Sequence, residues 1–467
     1  MNSRKQLHAA LGSFDRLPGQ AGREFWRSLD ELADDPSFQK LMMHEFPAQA
    51  SVWPDSLSRR KFLSLMGASL ALAGLSGCSV RPAPSTQVVP YVNRPEELIP
   101  GRPLFFATAF THGGEGMGVL VESHEGRPTK IEGNPDHPGS RGATDVFAQA
   151  SILSLYDPDR AQTVTHHAQP RTWDEAANVL RTAIDQQRPK QGSGLRLLTG
   201  AVLSPTLGVQ LDRLLAELPQ ARRHVWEPVH ADGALQASER AFGRPLDVVY
   251  DFSQADVIVS LDADFLIHGP GHLRHARDFI DRRRMPTVED QAAAATMNRL
   301  YVVEPAISCT GAKADHRLAV RDGEIAIIAQ RLATRLGVAG VESGPQLQHD
   351  RWIAAVADDL NAHRARSLVI AGHRQPAAVH LLAAAMNDRL GNVGSALRYI
   401  EPIEWRPTER SASLGELIEA ADRGEVETLL ILDANPAYTA PADAAFLDRL
   451  QKVPLRIAMG LYRDETA

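Results

Sequence analysis

The sequence predicts an α/β protein in which a small β-rich domain precedes doubly wound, parallel-sheet domains. Two observations carry this. From Thr172 onward, short apolar runs of strand length alternate with amphipathic stretches of helical length, the pattern of βαβ units. Before that point, three strand-like runs are separated only by glycine-containing turns, which leaves no room for crossover helices and implies hairpins. A chain of 467 residues with 43% hydrophobic and 23% charged residues is long enough for two or three cores and is no disordered polymer.

The first 57 residues read as a helical extension: Phe25, Leu29 and Leu32, then Phe38, Leu41 and Met42, fall at helical spacing, with Asp35-Pro36 between them. An assembly factor recognising this pair before export and a tolerated extension are both compatible with it. Residues 58–78 are an export signal. Arg59 and Arg60, flanked by Ser58 and Phe62-Leu63, precede about a dozen moderately apolar residues, the build of a twin-arginine signal. The run ends in Leu75-Ser76-Gly77-Cys78, a lipobox whose cysteine would carry the lipid and anchor the mature chain to a bilayer. The expected partners here are the twin-arginine translocase and the membrane, and the expected location is the periplasmic face of the bacterial cytoplasmic membrane.

The linker Arg81-Pro82-Ala83-Pro84-Ser85-Thr86 opens the small β-rich domain, placed at residues 79–165 with strands at Leu104–Phe110, Val119–Ser123 and Thr129–Glu132. Gly113-Gly114-Glu115-Gly116-Met117-Gly118 is read as a tight turn, because strand rather than helix follows it. An α/β domain is expected over 166–340 and a second over 341–467. Their strands are Leu195–Thr199, Val257–Leu261, Leu300–Val303, Leu368–Ile370, Thr428–Leu432 and Leu455–Met459, with helices such as Trp173–Gln187 and Gly323–Leu336 between. Ligands of such folds sit beyond the carboxyl ends of strands, which points to Asp262–His272, Glu304–Asp315, Gly372–Gln375 and Asp433–Tyr438. No internal repeat stands out.

Composition excludes several function classes. A formal net charge of −7 without a basic tract argues against nucleic acid. Two cysteines, Cys78 and Cys309, cannot hold a four-cysteine iron–sulfur cluster or a disulfide framework. His268, His272 and His275 lie close together without a cysteine or acidic ligand at a characteristic spacing, so a metal site is not expected. Asp262 and Asp264 are read as loop and helix caps, Cys309 as a buried structural thiol, and no catalytic residue is nominated.

The stretch Gly126-Arg127-Pro128-Thr129-Lys130-Ile131-Glu132-Gly133-Asn134-Pro135-Asp136-His137-Pro138 resembles the signature hairpin of molybdopterin oxidoreductases. It is followed by Leu155-Tyr156-Asp157-Pro158-Asp159-Arg160, Thr172-Trp173-Asp174-Glu175-Ala176, the segment Ser308–Arg317, and Gly391-Asn392-Val393-Gly394, in the order that family uses. The resemblance implies that Gly126, Arg127, Gly133, Asn134, Pro135, Asp136, His137 and Pro138 form a degenerate pterin-scaffold motif. Active members place cluster cysteines where this chain has Thr111–Gly118 and Gly142–Asp145, so the scaffold is expected to be empty of molybdopterin. With the long extension, the Phe25–Leu32 segment and the lipobox, the chain most resembles the amino-terminal half of the large iron–sulfur subunit of alternative complex III. That resemblance implies a cofactor-free scaffold domain in a quinol-oxidising respiratory complex. Its partners would be quinol-binding membrane subunits and cytochrome c, its iron–sulfur clusters would lie in a carboxy-terminal half, and the present chain would stop within its α/β part. The alternative is a true molybdopterin-dependent oxidoreductase with an unrecognised metal ligand.

Overall fold

The computed structural model describes residues 98–99, 101–284 and 297–467. The chain divides into two units, Met1–Arg94 and Pro95–Ala467. The first, with the expected helical extension, Arg59, Arg60 and Cys78, lies outside the described residues.

The second unit opens with an antiparallel sheet in the order β1-β2-β3, formed by β1 (Leu104–His112), β2 (Glu115–His124) and β3 (Arg127–Gly133). Its turns use the glycines the sequence offers. Gly113 and Gly114 close the first at φ 57° and 78°, and Gly126 the second at φ 82°, a conformation that costs glycine least. One face of the sheet packs Met117, Val119 and Ile131 against Ala148 of the short helix α1 (Val146–Ala150) and against Leu273. A two-stranded ribbon follows, β4 (Val164–His166) with β5 (Gln169–Arg171).

Helix α2 (Trp173–Gln187) starts on a capping box: Thr172 accepts from the Glu175 amide at 3.2 Å while Glu175 accepts from the Thr172 amide at 2.8 Å. Then come β6 (Leu195–Thr199), α3 (Pro205–Glu217), β7 (Arg222–Val225), α4 (Asp232–Phe242), β8 (Asp247–Tyr250), β9 (Val257–Leu261), α5 (His272–Asp281), β10 (Arg299–Glu304), α6 (Cys309–Ala312), β11 (His316–Ala319), α7 (Asp322–Arg335) and α8 (Asp350–Ala362). The chain continues with β12 (Ser367–Ala371), α9 (Ala377–Leu390), β13 (Leu397–Ile400), α10 (Arg410–Asp422), β14 (Thr428–Leu432), α11 (Pro436–Thr439), α12 (Phe446–Leu450) and β15 (Leu455–Met459).

These elements make two parallel four-stranded sheets, ordered β11-β10-β9-β12 and β15-β14-β6-β7. The fold is therefore α/β with a small antiparallel sheet. In the first sheet, Val257, Val259 and Leu261 face α7, α8 and α9, whereas Ile258 faces Phe252, Phe265 and Phe279. Apolar residues on both sides of a strand are what a sheet covered on both faces requires. In the second sheet, Leu429 and Ile431 join α10 and α12, while Leu195 and Leu197 face α2 and α3.

The topology departs from the expected cut at 340/341. Strand β12 pairs with β9, so that cut would run through one sheet, and β14 pairs with β6 from far upstream. One sheet is thus nested inside the other: the inner sheet spans residues 257–371, and the outer draws strands from both sides of it. Periodicity types each element but carries no record of its partner, which apolar burial selects in three dimensions. Strands β7, β8, β11 and β13 were not anticipated. Each carries a charged residue among its four positions, which breaks the apolar run that marks the buried strands.

Candidate functional site

The carboxyl ends of the parallel strands gather the polar loops of the molecule. At the inner sheet, β9 ends in Leu261-Asp262-Ala263, and Asp262 adopts φ 59°, an unfavourable left-handed conformation for a side chain with a Cβ. Two features hold it there. Buried Ser260 bonds both the Ala263 amide and the Ala263 carbonyl at 2.9 Å, and Gly372 of the neighbouring strand end approaches so closely that a Cβ would lie 1.9 Å from the Asp262 carbonyl oxygen.

The side chains at this edge are satisfied by one another. Arg374 donates to both Asp262 oxygens at 3.1 Å, and Gln375 donates to Asp262 Oδ2 at 3.1 Å. Asp264 accepts from the Thr310 amide at 2.8 Å and its hydroxyl at 2.6 Å, so it bonds the first turn of α6, whose own cap is Ser308, while Asp262 faces side chains and caps no helix. Glu304, only 1% exposed, accepts from Arg317 Nε at 2.5 Å and Ser308 Oγ at 2.6 Å. A Cβ on Gly311 would overlap Glu304 at 1.8 Å.

The outer sheet ends in the Asp433–Tyr438 loop to which the sequence pointed, and its turn matches that of Asp262, a likeness the sequence reading did not note. Strand β14 runs into Leu432-Asp433-Ala434, and Asp433 also lies at positive φ, 52°. The signal was present as the repeated Leu-Asp-Ala. Its neighbours are bound differently: Asn435 donates to Glu465 Oε2 at 2.7 Å and accepts from Thr466 Oγ1 at 2.7 Å, and the Ala437 amide donates to Thr466 Oγ1 at 3.0 Å. Glu227, at the end of β7, accepts from the Ala201 amide at 3.1 Å. Arg410 pairs with Glu404, which lies 3.8 Å from Arg223. Burial pushes the Arg223 guanidinium down to about 10 and raises the Glu404 carboxyl despite its arginine neighbours.

The two edges meet at α4, where a Cβ on Gly233 would lie 2.4 Å from the Gln375 carbonyl. His373 is held below the usual histidine value, first by burial and then by Arg374 and His268, with His230 also contributing. Two cavities, of about 220 Å³ and 340 Å³, lie away from where the edges meet. Residues Arg196, Arg222, His224 and Arg423 line the first, and α2 with Leu455 the second.

The signature hairpin residues sit in the antiparallel sheet and serve its own geometry. Asn134 Oδ1 accepts from the Asp136 amide at 3.0 Å, and the Asn134 carbonyl accepts from His137 and Gly142 amides at 3.1 Å. The His137 ring lies against Gly118, where a Cβ would be 2.4 Å away, and its Nδ1 accepts from the Ser140 amide at 3.3 Å. Gly133 is required by Gly142, whose carbonyl carbon would be 2.4 Å from an added Cβ. Arg127 stacks on Tyr156 with 4.9 Å to the ring centroid, while Pro135, Asp136 and Pro138 are exposed.

His268, His272 and His275 do not converge. His272 faces Glu115 and Asp145, His275 is buried 4.8 Å from the Phe252 ring centroid, and His268 is exposed. Among the described residues, no group of three His, Cys, Asp or Glu could hold a metal ion. Cys309 is exposed rather than buried; the turn into α6 buries Thr310 and Gly311 instead. No described helix is long and apolar enough to cross a membrane.

No protein-family model matches the chain. It is similar to the molybdopterin-binding-like subunit of menaquinone reductase from Nitratidesulfovibrio vulgaris, with 26% identity over 395 residues covering 75% of this chain. The match spans 55% of that relative's length. Among solved structures, the formyltransferase/hydrolase complex from Methylorubrum extorquens in complex with methylofuran shares 14% identity over 60% of this chain and 78% of the matched chain, at a TM-score of 0.35.

Proposed function

We propose that the chain is a cofactor-free, molybdopterin-oxidoreductase-like scaffold within a subunit of a quinone-linked electron-transfer complex. The relative's name supports the electron-transfer setting. One observation carries the scaffold reading: most polar side chains at the strand ends are bonded within the chain. Asp262 is held by Arg374 and Gln375, Glu304 by Arg317 and Ser308, and Asn435 by Glu465 and Thr466. A pterin dinucleotide seated at these strand ends would compete with these pairs, which supports the reading of a scaffold without one.

The finer reading follows the sequence. The chain is exported through Arg59 and Arg60, anchored by lipid at Cys78 on the periplasmic face, and docked to quinol-binding membrane subunits and cytochrome c. Iron–sulfur clusters in a carboxy-terminal half carry the electrons. A rigid body of this size would position that half within electron-transfer reach.

Elemental analysis of the protein isolated from its own cells tests this. Iron without molybdenum or tungsten is the expected result. Stoichiometric molybdenum or tungsten would make it a molybdopterin-dependent oxidoreductase and end the scaffold reading. Replacing Cys78 with Ala should move the protein from the membrane to the soluble fraction.

A further inference from the structure

The contact between the antiparallel sheet and α5 is built around one histidine. His272, the first residue of α5, is 8% exposed. Its Nδ1 donates to the Gly269 carbonyl at 3.1 Å and lies 3.5 Å from Glu115 of β2. Its Nε2 lies 3.7 Å from Asp145 Oδ2. Both carboxylates have second tasks: Glu115 accepts from the Gly271 amide at 2.9 Å, and Asp145 caps α1 by accepting from the Ala148 amide at 2.7 Å.

This geometry treats the two protonation states differently. With Nδ1 carrying a proton for the Gly269 carbonyl, a neutral ring turns a bare lone pair at Nε2 toward the Asp145 carboxylate. A protonated ring turns an N–H toward it and places a cation between two anions.

We propose that His272 is a proton-operated latch that clamps β2 and α1 to α5 when protonated and releases α1 when neutral. This goes beyond the scaffold reading and does not depend on it. The released element carries apolar surface, since Val146 and Phe147 are 71% and 51% exposed.

The balance of forces is favourable. Burial opposes the charged ring, but the adjacent Glu115 carboxylate, the Gly269 carbonyl and the Asp145 charge outweigh it, and the net shift is upward. A raised value means that the contribution is complete below the unfolded value of about 6.5 and is lost as pH rises through the folded value. His275, one turn along α5, is held neutral by burial at about 3, so it does not follow His272 through this window. The Arg141–Asp278 pair and the Arg277 bond to the Arg141 carbonyl span the same contact; a variant at His272 leaves both in place.

Hydrogen–deuterium exchange of the full chain, expressed as protection factors, tests the latch. Between about pH 6 and about pH 8, amides of residues 112–118 and 146–155 should lose roughly threefold or more protection in the wild type and none in His272→Gln. Equal pH responses in the two proteins would overturn the proposal. Should His272→Gln fail to fold, the same exchange series on Asp145→Asn decides, since asparagine still caps α1 but offers the ring no charge: loss of the pH response at residues 146–155 supports the latch, and an unchanged response removes it.

Discussion

The inner and outer parallel sheets finish their central strands alike and are secured by different means. Both run into Leu-Asp-Ala with the aspartate at positive φ, 59° for Asp262 and 52° for Asp433. At the inner edge the aspartate is locked by Arg374, Gln375 and a glycine in backbone contact. At the outer edge Asp433 is exposed, and the adjacent Asn435 is tied to Glu465 and Thr466. A local signal sets the shape of the turn, and residues remote in sequence decide how tightly it is held.

The largest test of that contrast is Glu304→Ala. It leaves Arg317 and Ser308 facing an emptied, buried position, and should cost about 3–5 kcal/mol in denaturant titration. A loss below about 1 kcal/mol would mean that the inner edge is not locked. Glycine substitutions come next. Gly372→Ala forces a Cβ against backbone at 1.9 Å and should destabilise by about 3 kcal/mol, whereas Gly200→Ala meets Glu227 Oε1 at 3.3 Å and should cost under about 1 kcal/mol. Equal effects would erase the distinction between the edges.

Acid provides a third probe. Burial holds His275 at about 3 and His380 at about 4 in the inner part, and His224 at about 4 in the outer. The unfolded chain binds protons at these sites below about pH 6.5 and the folded chain does not, so stability falls as pH drops from there toward 4, by on the order of 2 kcal/mol per histidine at pH 5. His275→Phe and His380→Leu should flatten this slope more, taken together, than His224→Leu alone, as read by thermal melts across pH. The smallest expected effect belongs to Asn435→Ala, which removes both tail bonds and should cost about 1 kcal/mol. Its readout is faster amide exchange at Ala437 with no change near Asp262; coupled loss at both edges would show them to be one unit.

Much of the fold was legible. Strands β6, β9, β14 and β15 and helix α2 begin and end where the sequence places them, because uninterrupted apolar runs bounded by Gly, Asp or a Thr–Glu capping box leave little choice. The four strand-end loops were legible as well, and three of them converge at the inner edge. What stayed hidden was the pairing: that Arg374 answers Asp262, that Thr310 answers Asp264, and that Cys309 turns outward. The hairpin residues Asn134 and His137 were legible as a motif, but their use within the hairpin's own turns was not.

The sequence by itself determined the α/β class, the antiparallel start and the positions of the polar loops, since all three follow from periodicity and turn chemistry within a few residues. Tertiary structure alone decided that one sheet is nested within the other, that Arg374 and Gln375 bond Asp262 while Arg317 bonds Glu304, and that His272 stands between two carboxylates. Those outcomes depend on which distant groups are desolvated together, and desolvation is a property of packing that no local window of sequence contains.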